Sequence, residues 1–327
     1  MDQILLRRKR MADILITLIP VSCMAVYFYG VRVLVMLAFA VLTGAAADLI
    51  SRLFLRQKWE KYDFSAIVTA VVFTLILPAT APYWMVALGV ALAIFVAKAP
   101  FGGYGKNIFN PAAFSAAFMV MTWPDIMLRY PSVFSHIGLE ATPDVTLNHS
   151  ANYYLLIGGK PNINLMDALL GNFSGPIGAT CILVICACGL YLLVRRTMSW
   201  QLPLGAFSVV LIWSVIFQRV GTSWIQSITY ELISGVLVFG VIFMASDPQT
   251  TPRTGGGKLF FGILLGLVTM LFRSFGASEL SFVFALLLAN ALSELCDVVG
   301  VHVFGHSKQK NRIAVLPAAD DMEQTEE

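Results

Sequence analysis

Charge is scarce in this sequence. Only 13% of its 327 residues are Asp, Glu, Lys or Arg, against roughly a quarter in an ordinary soluble domain. So little charge excludes a soluble globular enzyme and an intrinsically disordered chain alike. No nucleic-acid partner is expected. Histidine is nearly as scarce: His136, His149, His302 and His306 are scattered through loops and the tail. Neither a metal-ligand set nor a Ser-His-Asp arrangement can be assembled from them. The five cysteines, Cys23, Cys181, Cys186, Cys188 and Cys296, lie in or beside apolar runs, match no C-x-x-C spacing and are odd in number. They exclude a disulfide framework and read as small apolar packing residues.

Apolar sequence is abundant. Hydrophobic residues make up 58% of the chain, concentrated in segments at 12–29, 33–50, 64–77, 83–98, 111–122, 177–194, 202–218, 229–245, 258–272 and 280–299. Runs of this kind point to an all-α polytopic membrane protein with ten transmembrane spans. Several are shorter than the roughly 20 residues a perpendicular span needs. The segments 64–77 and 111–122 border Pro78 and Pro111 and suit half-helices or broken helices. Arg7-Arg8-Lys9-Arg10 precedes the first run with no small-residue cleavage site, so that run is read as a retained helix.

The basic residues supply an orientation. With residues 1–11 placed in the cytoplasm, seventeen of the 22 Lys and Arg fall on the inner side. The other five, Arg32, Arg129, Lys160, Arg219 and Arg273, fall outside. This split predicts ten spans with both termini cytoplasmic. It places the long polar connection 123–176 outside and divides the spans into halves, 12–122 and 177–304. Five is odd, so the halves run in opposite senses, and kinship between them would make an inverted repeat with a site near the midplane. Phe101-Gly102 echoes Phe275-Gly276 weakly in this sense. The acidic tail 305–327 reads as a disordered cytoplasmic terminus.

Two inner segments carry polar chemistry. Phe101-Gly102-Gly103-Tyr104-Gly105-Lys106-Asn107-Ile108-Phe109-Asn110-Pro111 reads as a re-entrant turn or a ligand-facing break, with Asn110 at a helix start. Met244-Ala245-Ser246-Asp247-Pro248 leads through Arg253 to Lys258. There Asp247 either caps a helix or pairs with Arg253, or contacts a cofactor or cation. Asp48, Glu231, Glu279, Glu294 and Asp297 lie near span ends, which favours interfacial positions over the apolar interior.

These stretches resemble a known family. Together with Gly171-Asn172-Phe173-Ser174-Gly175-Pro176-Ile177-Gly178-Ala179-Thr180, Ser199-Trp200, Lys258-Leu259-Phe260-Phe261-Gly262 and Arg273-Ser274-Phe275-Gly276 through Asn290-Ala291, they look like RnfD, a membrane component of Rnf electron-transport complexes. RnfD is related to NqrB of the sodium-translocating NADH:quinone reductase. The resemblance implies a ten-helix 5+5 inverted repeat similar to the urea-transporter fold, in the bacterial inner membrane. It implies partner subunits of an Rnf-type complex, and electron transfer between ferredoxin and NAD coupled to sodium or proton movement. It also implies covalent FMN on a threonine of the outer loop and a second flavin, riboflavin, held non-covalently among the helices. Ala141-Thr142-Pro143 matches the attachment motif in part, with Glu140, Leu139 and His136 departing from it, so Thr142 is the positional acceptor. Thr180, in Gly178-Ala179-Thr180, is the rival acceptor or a helix-start contact. Asn110 and Asp247 are the other cofactor-binding candidates. The alternative function is a solute channel or secondary transporter that keeps the fold without covalent flavin.

Overall fold

The computed structural model describes residues 2–55, 64–101, 107–135, 137–140, 143, 145–219, 221, 223–275 and 279–304. The tail beyond 304 and the glycine-rich residues 102–106 lie outside them. The chain begins with two long helices, α1 (Asp2–Tyr29) and α2 (Val31–Phe54), joined at Gly30. Three short ones follow: α3 (Ser65–Ile76), α4 (Tyr83–Phe95) and α5 (Pro111–Thr122). The long connection holds α6 (Pro124–Met127), a two-stranded antiparallel ribbon of β1 (Tyr130–Pro131) and β2 (Leu147–Asn148), α7 (Ala151–Leu156) and α8 (Leu165–Leu170). Next come α9 (Ile182–Val194), α10 (Gln201–Ile216), α11 (Trp224–Ile233), the short α12 (Leu237–Phe239) and a π-helical turn, Gly240–Met244. The last helices are α13 (Gly255–Ser274), α14 (Ser281–Ala291) and α15 (Ser293–Phe304).

Each of the ten apolar segments coincides with a helix or a bent helix pair. Among the described residues, three helices are long and apolar enough to cross a membrane: Leu5–Tyr29, Val31–Phe54 and Gly255–Ser274. Two bent pairs, α11 with Leu237–Met244 and α14 with α15, raise the number to five if each pair is one span. The remaining five apolar helices have 12 to 16 residues. At 1.5 Å per residue they extend about 18–24 Å, short of a hydrocarbon core about 30 Å thick. The segments 229–245 and 280–299, read from the sequence as single spans, are therefore bent, by 65° and 69°.

The bend after α11 has a physical cause. Gly235 adopts φ +62, in the left-handed region that glycine enters freely. Backbone groups freed there are recovered by side chains. Arg273 donates to the Glu231 carbonyl (2.7 Å) and to the Ser234 carbonyl, and the Gly235 N–H donates to the Glu279 carboxylate. Irregular backbone within an apolar bundle survives where protein groups satisfy it in this way.

Packing repeats between the two parts of the chain. In the first part α2 packs on α4 and α4 on α5; in the second, α10 packs on α13 and α13 on α14. The parts meet where α1 packs on α9 and α5 on α14. The α10–α13 contact is close because small residues face each other. A Cβ on Gly205 would lie 2.6 Å from the Leu259 carbonyl oxygen, and one on Gly266 would lie 2.7 Å from that of Ala206. Gly262 and Gly266, four apart, form the small-xxx-small stripe that lets apolar helices approach.

Candidate functional sites at the two ends of the bundle

One end of the bundle brings together Arg10, Arg196 and Lys258; the other carries the described part of the 123–176 connection. Between α1, α3 and α5 at the basic end lies a small cleft that Lys98, Asn107, Asn110 and Asp247 help to line. Asn110 is the N-cap of α5: its Oδ1 accepts from the Ala113 N–H (3.1 Å), and Pro111 occupies the first helical position, where no donor is missed. Its Nδ2 donates to the Met244 carbonyl (3.0 Å), fastening α5 to the π-helical turn of the other part. Asp247 follows that turn, and its Oδ1 accepts from the Gln249 N–H (3.2 Å). The two polar residues singled out from separate motifs thus meet at one cleft. The Arg253 N–H goes to Asp297 (2.8 Å), whose other oxygen takes the Thr254 N–H and hydroxyl (2.9 and 2.6 Å). Asp297 therefore organises the start of α13.

The cleft is polar but narrow. Asn107 is buried, and its Oδ1 accepts no hydrogen bond from the described residues. Lys98 donates to Ser65 (2.7 Å) and lies 3.5 Å from Asp48, which also holds Arg52 at 2.6 Å. An unused acceptor in a cleft that a lysine also lines suits a ligand rich in hydroxyls or amides. The enclosed volume is about 30 Å³, space for two or three waters at roughly 10–15 Å³ each. A ring system does not fit there as the helices now stand. Asn290, on α14 where that helix packs against α5, is also buried, and neither polar atom of its amide is hydrogen-bonded to the described residues.

The opposite end is built around two buried arginines. Arg32, at the start of α2, is fully buried with no carboxylate partner among the described residues. It donates to the carbonyls of Ala79 (2.7 Å), Ala81 (3.0 Å), Gly138 (3.1 Å) and Glu140, and lies over the Tyr83 ring at 4.8 Å. It thereby ties the 138–140 segment to the break between α3 and α4. Thr142, two residues further, lies outside the described residues, as does His136. Arg273 instead meets the Glu231 carboxylate (3.1 Å), which also holds Arg219 (2.7 Å), and Arg219 reaches the Asn152 side chain (3.0 Å). The buried Glu279 accepts from the Ser150 hydroxyl and the Gly235 N–H. Burial raises its carboxyl above the ordinary range, against the opposing pull of Ser150, Arg273, Gly235 and Arg219. Asp48, Glu231 and Glu279 are thus near helix ends, as read from the sequence, yet enclosed and paired; Glu294 is less enclosed.

Beside Glu279 opens a cavity of about 360 Å³ lined by Asp125, Arg129, His149, Asn152 and Tyr153 among others. It falls within the roughly 300–1,000 Å³ of small-molecule sites. His149 and Tyr153 stack at 3.7 Å, offering an aromatic wall, and the Asn152 Nδ2 is buried with no acceptor among the described residues. Arg129 and His149 flank the β1–β2 ribbon, whose connecting loop contains Thr142. From His149 the chain back to Thr142 spans seven residues, at most about 25 Å when extended. Thr180 sits elsewhere: it is 1% exposed, just before α9, in a stretch whose Ile177 and Gly178 N–H groups donate to Leu77 (3.0 Å) and Leu75 (2.7 Å) at the end of α3. The N-cap of α9 is Cys181, with no side-chain capping bond.

The family model for NQR2, RnfD and RnfE matches residues 5–305. The chain belongs to that family. It is 30% identical over 323 residues to the D component of the ion-translocating oxidoreductase complex of Haemophilus ducreyi, covering 89% of this chain and 92% of that protein. It is 29% identical to the D component of the Na(+)-translocating ferredoxin:NAD(+) oxidoreductase complex of Acetobacterium woodii, over 88% and 87% of the two chains. The proton-translocating counterpart of Clostridium ljungdahlii is also 29% identical, over 88% of each. Relatives named for different ions thus stand at equal distance from this chain. The sequence resemblance, first carried by scattered motifs, extends through both halves and the long connection.

Proposed function

We propose that the chain is the flavin-carrying membrane subunit of an ion-translocating complex that couples electron transfer between ferredoxin and NAD to sodium or proton movement. The observation that carries this reading is the match along nearly the whole chain to the RnfD-type components of such complexes. The repeated packing of α2–α4–α5 and α10–α13–α14 supports a ten-span inverted repeat similar to the urea-transporter fold. The meeting of Arg10, Arg196 and Lys258 at one end supports an inner-membrane orientation with both termini cytoplasmic. Nothing in the relatives' names favours the solute-channel alternative.

Within this reading Thr142 is the acceptor for covalent FMN. The enclosure of Thr180 leaves a modifying enzyme little access, whereas Arg32 holds the neighbouring 138–140 segment at the loop end of the bundle. His149, Tyr153, Asn152 and Arg129 would hold the flavin, offering a ring to stack on, a buried amide donor and a cation for the phosphate. The bound flavin would supply the one- and two-electron chemistry. The protein's own contribution is to fix the loop, exclude water with the aromatic wall and set the local charge through Arg129, Asp125 and Glu279. Asn107, Asn110 and Asp247 are the candidate contacts of riboflavin at the basic end, and accepting its ring there requires the cleft to widen.

The test is the intact mass of the chain from its native host, with in-gel flavin fluorescence and peptide mapping. An FMN-sized addition on Thr142, lost in Thr142→Ala, is the expected result. The addition on Thr180 would move the acceptor, and an unmodified chain that also releases no free flavin on native extraction would overturn the reading.

A further inference from the structure

A second cavity at the basic end has no part in the reading above. It lies among the start of α1, the α9–α10 connection and the first turn of α13, with a volume of about 70 Å³. Three cations face it, Arg10, Arg196 and Lys258, together with Thr197 and Ser199, and among the described residues no carboxylate lines it. Two neighbouring acids are committed. Asp13 spends one oxygen on Arg195 (3.0 Å) and the other on the Thr197 hydroxyl (2.9 Å). Asp297 is bound by the backbone of Arg253 and Thr254. The Lys258 ammonium donates to Ser199 (2.7 Å), which leaves it two further N–H bonds, and it feels both the repulsion of Arg10 and the attraction of Asp297.

Two exposed guanidinium groups and the half-buried Lys258 ammonium meet at a cavity that no described carboxylate lines, and an anion there relieves what solvent leaves of their mutual repulsion. Two guanidinium forks and an ammonium match a phosphate, which accepts several charge-assisted hydrogen bonds at once. At roughly 10–15 Å³ per water, the cavity holds about five to seven waters, or one phosphate group in their place. We infer that Arg10, Arg196, Lys258 and Ser199 form a phosphate-binding site, open to a phospholipid headgroup or to free phosphate.

The surroundings favour the lipid as the source. Leu190 and Val194 on α9 and Leu204 on α10 are 63%, 81% and 52% exposed, so an apolar surface leads away from the cavity along both helices. Trp200, beside the cavity, is exposed, as is common for aromatic residues at a membrane interface. Basic pockets between helices on the cytoplasmic side are suited to anionic headgroups.

The experiment uses the full chain purified in detergent and stripped of lipid. Thermal unfolding and native mass spectrometry are followed with phosphatidylglycerol, phosphatidylcholine or inorganic phosphate added. Expected is a concentration-dependent rise in the midpoint and retained adducts with phosphatidylglycerol but not phosphatidylcholine. Arg10→Gln/Arg196→Gln, which alters two exposed side chains and spares the fold, should weaken that binding at least about tenfold, since charge-assisted contacts are lost. The exposed Arg253→Gln should leave it unchanged. Saturation by inorganic phosphate alone, abolished in the double variant, would keep the site and assign it to free phosphate. Equal binding by the double variant and the unaltered chain, or no binding of either phosphate source, would overturn the inference.

Discussion

Arg32 and Arg273 are both fully buried, and both are linked to the 123–176 connection, yet they are neutralised by opposite means. Arg32 is surrounded by carbonyl dipoles: those of the α3–α4 break and those of residues 138–140. Arg273 serves the break after α11 in a similar way through the carbonyls of Glu231 and Ser234, but adds the Glu231 carboxylate and shares it with Arg219. Each arginine repairs a place where the helical ladder is interrupted. The difference is that the first half distributes the compensation over many weak acceptors, while the second relies on carboxylates, with Glu231 in direct contact and Glu279 close by. A distributed site tolerates the loss of any one partner; a concentrated site does not.

That contrast can be broken most severely at Glu231. Glu231→Gln leaves two cations without their carboxylate and should destabilise the chain by about 3–5 kcal/mol, read as a large fall in the unfolding midpoint in detergent. Glu231→Gln combined with Arg273→Met should recover part of that loss, and a purely additive double variant would show that the two groups are not coupled. Arg32→Met leaves the Ala79 and Ala81 carbonyls buried without a donor, at about 1–3 kcal/mol each, a loss comparable with that at Glu231, while the part-buried carbonyls of Gly138 and Glu140 can turn to water. Its distinguishing sign is faster proteolysis around residues 138–143 with the helices intact. Unchanged cleavage there would mean that Arg32 does not hold the loop.

Smaller effects sharpen the comparison. Asn110→Ala removes the α5 cap and the tie to Met244, for a loss of about 1–2 kcal/mol, measured as a lower unfolding midpoint. Glu279 supplies a pH signature. Its carboxyl is raised in the folded chain, so the folded state binds the proton more tightly than the unfolded one. The corresponding stability is fully present below the unfolded value of about 4.3 and is lost as pH rises through the folded value. Glu279→Gln should flatten the fall in midpoint with rising pH over that window, and an unaltered slope would assign the dependence to another group.

The exceptions in the sequence were more informative than they looked. Arg32, Arg219 and Arg273 are three of the five basic residues that the charge count puts on the outer side. They stand there because they face inward, onto carbonyls and Glu231, rather than toward the surrounding medium. The count carried that signal as a departure, but the partners were invisible because Arg32 and Glu140 are more than a hundred residues apart. Asn110 was legible as a helix start from the Asn-Pro pair, whereas its contact with Met244 required the packed fold. For Asp247 the sequence offered a helix cap, a pairing with Arg253 or a cofactor or cation contact; the structure gives its Oδ1 the Gln249 N–H and puts Asp297 on the Arg253 backbone. Thr180 looked like a helix-start residue, but the helix begins later because 177–178 is drawn into hydrogen bonds with α3.

By itself the sequence determined the class, the ten apolar segments, their alternating charge and the family, because hydropathy and local motifs are properties of short stretches. Tertiary structure decided where the helices bend, which carboxylates are enclosed and which cations share a cavity. Those outcomes depend on how backbone groups freed at each break find donors and acceptors, and such partners come from helices distant in sequence.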